Sequence, residues 1–273
     1  MLKFIHIADT HLTGTDELLY GISPRERLSS CFAHIKANHP DAAFIAVAGD
    51  IAERGEEDAY RFLQSEAWHL GLPVLVTPGN HDNLEAMRNV LASFQGQLSD
   101  LPKSGVFLAS ALYSTEGVFL FMDSSEKNVT HGVFDGARAS ALTKQLASLR
   151  DNIFLFMHHP PFKVDIPFMD SIRLLDPEPL YAALEPHKGS ISYMFFGHLH
   201  KTVSGLWRGI PFFIIRSVVH QINEKVNPYN SDIDYTVIGY DELPEYSVVI
   251  INQDQVVCRA ERFTGESRTF TYE

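Results

Sequence analysis

Five short apolar runs in this chain, Phe4–Ala8, Ala42–Ala48, Pro73–Val76, Ile153–Met157 and Ile191–Phe196, have the length and composition of buried strands. Each ends in residue types that bind metals or phosphates: Asp9-Thr10-His11, Gly49-Asp50, Gly79-Asn80-His81-Asp82, His158-His159-Pro160-Pro161 and Gly197-His198-Leu199-His200. One such ending means little, since Asp and Asn after a strand are ordinary turn formers. Five together point to one shared site, because α/β sheets bind their ligands outside the carboxyl ends of the strands.

Helical patterns separate the runs. Ser23 can cap a helix with Pro24 at its first position and Glu26 completing a capping box, before Leu28, Cys31, Phe32 and Ile35. Ala59, Phe62, Leu63, Ala67 and Leu70 repeat with helical spacing, and Asp135 precedes a third pattern through Ala139, Leu142, Leu146 and Leu149. Alternating strands and helices predict an α/β layered fold. Gly105–Leu112 with Gly117–Met122, and Tyr246–Ile251 with Val256–Arg262 across Asn252-Gln253-Asp254-Gln255, read as hairpins, which require a second or a mixed sheet. A further strand is expected over Pro211–Arg216, and Gln221–Asp234 is polar and turn-rich enough for a long loop. The economical organisation is a single domain over residues 1–273, with 217–273 as a C-terminal loop and β-hairpin elaboration.

The chain has 273 residues, 45% of them apolar and 21% charged, a composition that folds. Its formal net charge of -12 repels a phosphate backbone, so extended nucleic acid is disfavoured as a partner. No apolar run approaches the roughly 18 residues needed to span a bilayer, and the N-terminus turns polar too soon for a signal peptide. A cytoplasmic protein without a membrane partner is expected. Cys31 and Cys258 lie far apart, outside any Cys-x-x-Cys spacing, and read as core fillers.

The donors at the strand ends mix imidazole, carboxylate and amide, which suits Mn, Fe, Zn or Co as divalent ions. About seven candidate donor side chains at these strand ends are too many for one ion and suit two divalent metal ions sharing a bridging carboxylate. Glycines 49, 79 and 197 stand where a side chain would crowd the ligands.

Taken in this order, the five motifs resemble those of the calcineurin-like metallophosphoesterases. With Met157-His158-His159-Pro160-Pro161-Phe162 and the early Leu19-Tyr20-Gly21 segment, they are most similar to the branch of class III cyclic-nucleotide phosphodiesterases and a bacterial glycerophosphodiesterase. The resemblance implies a four-layer αββα sandwich, with two mixed β-sheets flanked by helices. It implies that Asp9, His11 and His200 hold one metal, that Asn80, His158 and His198 hold the other, and that Asp50 bridges them. His81 would face the substrate as a general acid or transition-state stabiliser. The alternative is that His81 only orients Asp50 or Asn80. His159 reads as structural or rim-lining, because neighbouring side chains tend to diverge. The implied reaction is hydrolysis of a small phosphodiester, a 3′,5′-cyclic nucleotide such as cAMP or a glycerophosphodiester, by a metal-bridging hydroxide.

Substrate choice would come from Leu18–Ile22, Ser125–Phe134, Lys163–Leu175 and Ser217–Asp234, with His220 a candidate for pocket lining. A broad-specificity phosphomonoesterase on the same core, and a non-catalytic scaffold of the same fold, are the alternatives. Glu53 and Asp82 differ from the protein-phosphatase pattern, and Thr10 and Thr13 from that of repair nucleases. The apolar stretch Val248–Ile251 in the last hairpin suggests a covering partner, a homo-oligomer.

Overall fold

Successive side chains of a strand point to opposite faces, and the central strands of this chain are apolar on both, so each must be covered on two sides. The computed structural model describes residues 1–91, 110–150, 152–226, 235–252 and 255–264. In chain order the elements are β1 (Leu2–Ile7), α1 (Pro24–Asn38), β2 (Ile45–Ala48), α2 (Glu57–Leu70), β3 (Val74–Thr77), α3 (Leu84–Leu91), β4 (Ser110–Tyr113), β5 (Val118–Phe121) and α4 (Gly136–Leu146). There follow β6 (Ile153–Phe156), α5 (Pro167–Ile172), α6 (Glu178–Leu184), β7 (Ile191–Phe196), β8 (Val203–Trp207), β9 (Ile210–Ile214), β10 (Gln221–Val226), β11 (Tyr235–Tyr240), β12 (Glu245–Asn252) and β13 (Gln255–Arg262).

One sheet has the order β13-β12-β1-β2-β3 and the other β4-β5-β6-β7-β9-β8. In the first sheet β1, β2 and β3 run parallel and the antiparallel pair β12–β13 completes one side, whereas in the second β5, β6, β7 and β9 run parallel and antiparallel β4 and β8 close both edges. The sheets meet through an aromatic layer. Phe4 stacks on Phe44 at 4.8 Å and meets Phe119, Phe156 and Phe195 edge-on at 5.6, 5.8 and 5.5 Å. Helices α1, α2 and α3 seal the outer face of the first sheet, with Leu28, Ile35, Leu63 and Met87 against Ile5, Val47 and Val76. Helices α4 and α6 seal the second, with Leu142, Leu146, Leu180 and Leu184 beside Leu155 and Met194. This is the four-layer αββα sandwich with two mixed sheets.

Local signals hold where they were read. The Ser23 hydroxyl accepts from the Glu26 N–H at 3.3 Å, and the Asp135 carboxylate from the Arg138 N–H at 2.9 Å. The expected long loop over Gln221–Asp234 is corrected, because it opens with β10, which pairs antiparallel with β11 from Gln221 opposite Tyr240 to Val226 opposite Tyr235. This ribbon joins neither large sheet, so it needs no continuous apolar face, and composition misreads it as loop. Residues 227–234 of that stretch, residues 105–109 of the first hairpin, the turn pair Gln253-Asp254 and the tail 265–273 lie outside the described residues. Val248, Val249 and Ile251 of the last hairpin are already buried within the chain. Among the described residues no helix is long and apolar enough to cross a membrane.

His6 is fully buried between the sheets, with its ring 5.3 Å from Phe195, 6.1 Å from Phe156 and 6.3 Å from Phe213. Neither ring nitrogen has a hydrogen-bond partner among the described residues. Burial pushes its pKa from 6.5 down to about 3. The unfolded chain therefore takes up a proton below about pH 6.5 that the folded chain refuses until about pH 3, so this contribution is complete above pH 6.5 and declines as the pH falls through that window. In urea unfolding, His6→Leu should lose less stability than the parent between pH 7 and pH 5, by about 2 kcal/mol.

Candidate metal centre

The loops after β1 and β2 keep pairing beyond the strands. The Asp9, His11 and Leu12 N–H groups donate to the Gly49, Asp50 and Ile51 carbonyls at 3.1, 2.9 and 2.8 Å. Asp82 holds the loop after β3 onto them, its carboxylate accepting from the Gly79, Ile51 and Ala52 N–H groups and from the Tyr60 hydroxyl. The loop after β7 is tied across the two sheets, where the His198 N–H donates to Asp9 Oδ1 at 3.0 Å. Asp9, His11, Asp50, His198 and His200 all adopt left-handed backbone, with φ of 55°, 39°, 47°, 71° and 50°. That region is uncommon for non-glycine residues and costs about 1–3 kcal/mol per residue, so the bonds around each must over-determine it.

Glycine is required for two different reasons. Gly49 has φ +84°, and a Cβ there would also overlap the His158 ring; a Cβ at Gly79 would overlap the Asp50 carboxylate and N–H. Gly49→Ala should lower stability by at least about 1–3 kcal/mol, read as a shifted denaturant midpoint.

The side chains converge in two groups around Asp50. His158 Nε2 lies 3.2 Å from Asp50 Oδ2 and 3.2 Å from His198 Nδ1. His11 Nε2 lies 3.1 Å from His200 Nε2 and 3.8 Å from Asp50 Oδ2, and His200 Nε2 is 3.7 Å from Asp9 Oδ1. The outward nitrogens are already committed: His158 Nδ1 donates to the Ala48 carbonyl, His200 Nδ1 to the His220 carbonyl and His11 Nδ1 to Glu53 Oε2. When neutral, these rings therefore aim Nε2 lone pairs at one another and at carboxylate oxygens. A divalent cation fits such a donor set, since it turns mutual repulsion of lone pairs into coordination. Candidate ligand atoms of Asp9, His11 and His200, of Asp9, Asp50 and His158, and of His158, His159 and His198 lie within 4.8 Å of one another in each group.

The titrations have the same origin. Burial, above the attraction of His158, raises Asp9 to about 7. For Asp50 burial is the largest single influence and pushes upward, but the surrounding imidazoles, His158 foremost with His81 and His11, together hold the carboxyl well below the usual range. Burial depresses His158, and Asp50 reverses this to give about 9. Burial, reinforced by nearby imidazoles, lowers His198 to about 3 and His220 to about 4, and holds His200 well below its ordinary value. His198 and His200 are thus preset as neutral imidazoles, the state that ligates metal.

Every residue predicted for the site arrives there. His81 takes its N–H to Asp50 Oδ1 at 3.0 Å and its Nδ1 to the Glu53 carbonyl at 2.7 Å, with its ring 4.9 Å from that of His11. Asn80 Oδ1 is 3.1 Å from His159 Nε2. The His220 ring lies 4.5 Å from His200, on the cavity wall rather than in a free loop. His159 does not line the rim: it is fully buried, its Nδ1 2.8 Å from Ser124 Oγ and its ring 4.8 Å from His158. The chain leaves the strand at Phe156, so strand alternation no longer sends neighbouring side chains apart. A cavity of about 330 Å³ opens over the cluster, and Tyr20, Thr130, Phe168 and Ile222 bring all four segments expected to set substrate choice to its wall. The sequence reading missed Glu53 and Ser124 as supports of His11 and His159, since a carboxylate or hydroxyl off the strand ends carries no spacing signal.

The calcineurin-like phosphoesterase profile matches residues 2–202. The chain is 33% identical to a probable cyclic nucleotide phosphodiesterase of Rhodopseudomonas palustris, over 99% of this chain and 96% of that one. It is 28% identical to the glycerophosphodiester phosphodiesterase GpdQ of Enterobacter lignolyticus, over 82% and 81%. A purple acid phosphatase, PPD1 from yellow lupin, superposes with a TM-score of 0.62 at 12% identity, covering 96% of this chain and 51% of its own, a likeness of fold. The strand-end motifs, the sandwich that gathers them and these matches agree that the chain belongs to the calcineurin-like phosphoesterase family.

Proposed function

We propose that this chain is a two-metal phosphodiesterase that hydrolyses small phosphodiesters, either 3′,5′-cyclic nucleotides or glycerophosphodiesters. The observation that carries this reading is the position of Asp50, whose carboxylate lies between the His11 side and the His158 side of one cluster. Asp9, His11 and His200 would hold one ion and Asn80, His158 and His198 the other, with Asp50 shared. Divalent ions in such seats offset charge on phosphoryl oxygens and make a hydroxide nucleophile accessible near neutral pH.

The chain's own groups supply the rest. His81 is the partly exposed histidine on the cavity wall, at 37% side-chain exposure. With Nδ1–H committed to the Glu53 carbonyl, Nε2 is the nitrogen left to face a leaving oxygen, and it has a proton to pass on when the ring is the imidazolium, both nitrogens then being donors. The described cavity lining has no lysine or arginine, while Phe168, Met169, Ile172 and Ile222 make an apolar wall. That wall supports a singly charged diester with a weakly polar leaving group over a doubly charged monoester. Relatives named as cyclic nucleotide and glycerophosphodiester phosphodiesterases support the same choice.

Asp50→Ala should lose bound metal and turnover together, whereas His81→Ala should keep its metal, by elemental analysis, and lose on the order of 10²- to 10⁴-fold in turnover. Metal loss in His81→Ala would make it a ligand instead. In phosphorus NMR with Mn²⁺ and equal amounts of 3′,5′-cyclic AMP, glycerophosphocholine and a phosphate monoester, one diester should disappear first and a chelator should stop the reaction. Monoester consumption ahead of both diesters would identify a phosphatase.

A further inference from the structure

Glu53 stands three residues beyond Asp50 and touches two of the cavity's histidines, His11 and His81, by different atoms. Its N–H donates to the Leu12 carbonyl at 2.9 Å, which fixes the residue beside the loop that carries His11. Its carboxylate Oε2 is 2.7 Å from His11 Nδ1 but 3.7 Å from His81 Nδ1. His81 Nδ1 instead donates to the Glu53 main-chain carbonyl at 2.7 Å. The adjacent Arg54 is turned away, to Glu17 at 2.7 Å and Glu56 at 3.6 Å, so it does not compete for the carboxylate.

We propose that the Glu53 side chain is a positioning group for His11, while its main-chain carbonyl alone orients His81. The inference rests on the two-metal reading. A carboxylate that accepts from Nδ1–H fixes the tautomer, leaves Nε2 as a lone pair toward Asp9, Asp50 and His200, and raises the basicity of the ring. Aspartate at position 53 would be one methylene, about 1.5 Å, too short to keep this bond while retaining the charge. Because a peptide carbonyl serves His81, substitution of the side chain should leave His81 as it is.

The test compares the parent chain with Glu53→Gln and Glu53→Asp, each stripped of metal and checked for retained circular dichroism. Mn²⁺ is titrated in by calorimetry, and histidine ¹⁵N spectra of the metal-free proteins are taken above the histidine titrations. In both variants one of the two Mn²⁺ affinities should fall on the order of 10- to 100-fold and the other stay at its parent value. The His11 tautomer should become mixed, and that of His81 should not change. Unchanged Mn²⁺ affinities in both variants, with the parent binding two ions, would overturn the positioning role and leave the two-metal reading standing. A His81 tautomer that shifts with Glu53→Gln would overturn the division of labour between side chain and carbonyl. A parent chain that binds no Mn²⁺ would sink the two-metal reading and this inference with it.

Discussion

Asp50 is a carboxylate with almost no access to water, and its stability depends on what surrounds it. It accepts the His81 N–H, faces His158 Nε2 at 3.2 Å and stands on a left-handed residue whose own carbonyl is taken by the His11 N–H. An isolated buried carboxylate is costly, so each of these neighbours is required by the charge itself. The same requirement reaches outward: Gly79 must lack a side chain for the carboxylate to fit, and Asp82 must hold Gly79 and Ile51 in place. The local chain path is shaped around that one oxygen pair.

Much of the fold was legible because burial writes itself into composition. Runs such as Ile153–Phe156 and Ile191–Phe196 are apolar on both faces since helices cover one side and the opposite sheet the other, and the switch to Asp, Asn and His marks where that cover ends. The helices over residues 24–38 and 136–146 carry their own caps in Ser23 and Asp135. What escaped has no such local imprint. Strand β10 is mostly polar and pairs only with β11, outside both large sheets. The buried position of His159 follows from the chain's path after Phe156, and the carboxylate of Glu53 is identified only by the atom it reaches.

The site residues were legible as a group for a related reason. Their spacing from the ends of the apolar runs is short and fixed, so parallel pairing in register brings Asp9, Asp50 and Asn80 to one end of the first sheet, and His158 and His198 to the same end of the second. Distances within the cluster are another matter. They depend on five left-handed residues that neither propensity nor periodicity marks.

The aromatic layer between the sheets has a mechanical consequence. Under the proposed ligand sets each ion takes donors from both sheets: Asp9 and His11 with His200, and Asn80 with His158 and His198. Neither sheet could assemble a seat alone, so coordination would act as a clasp across the interface that Phe4, Phe119, Phe156 and Phe195 glue at its middle. Ions bound only by the closed sandwich would raise the free energy of prying the sheets apart in proportion to the logarithm of their concentration. The slip plane of the molecule and its reactive centre would then be one structure.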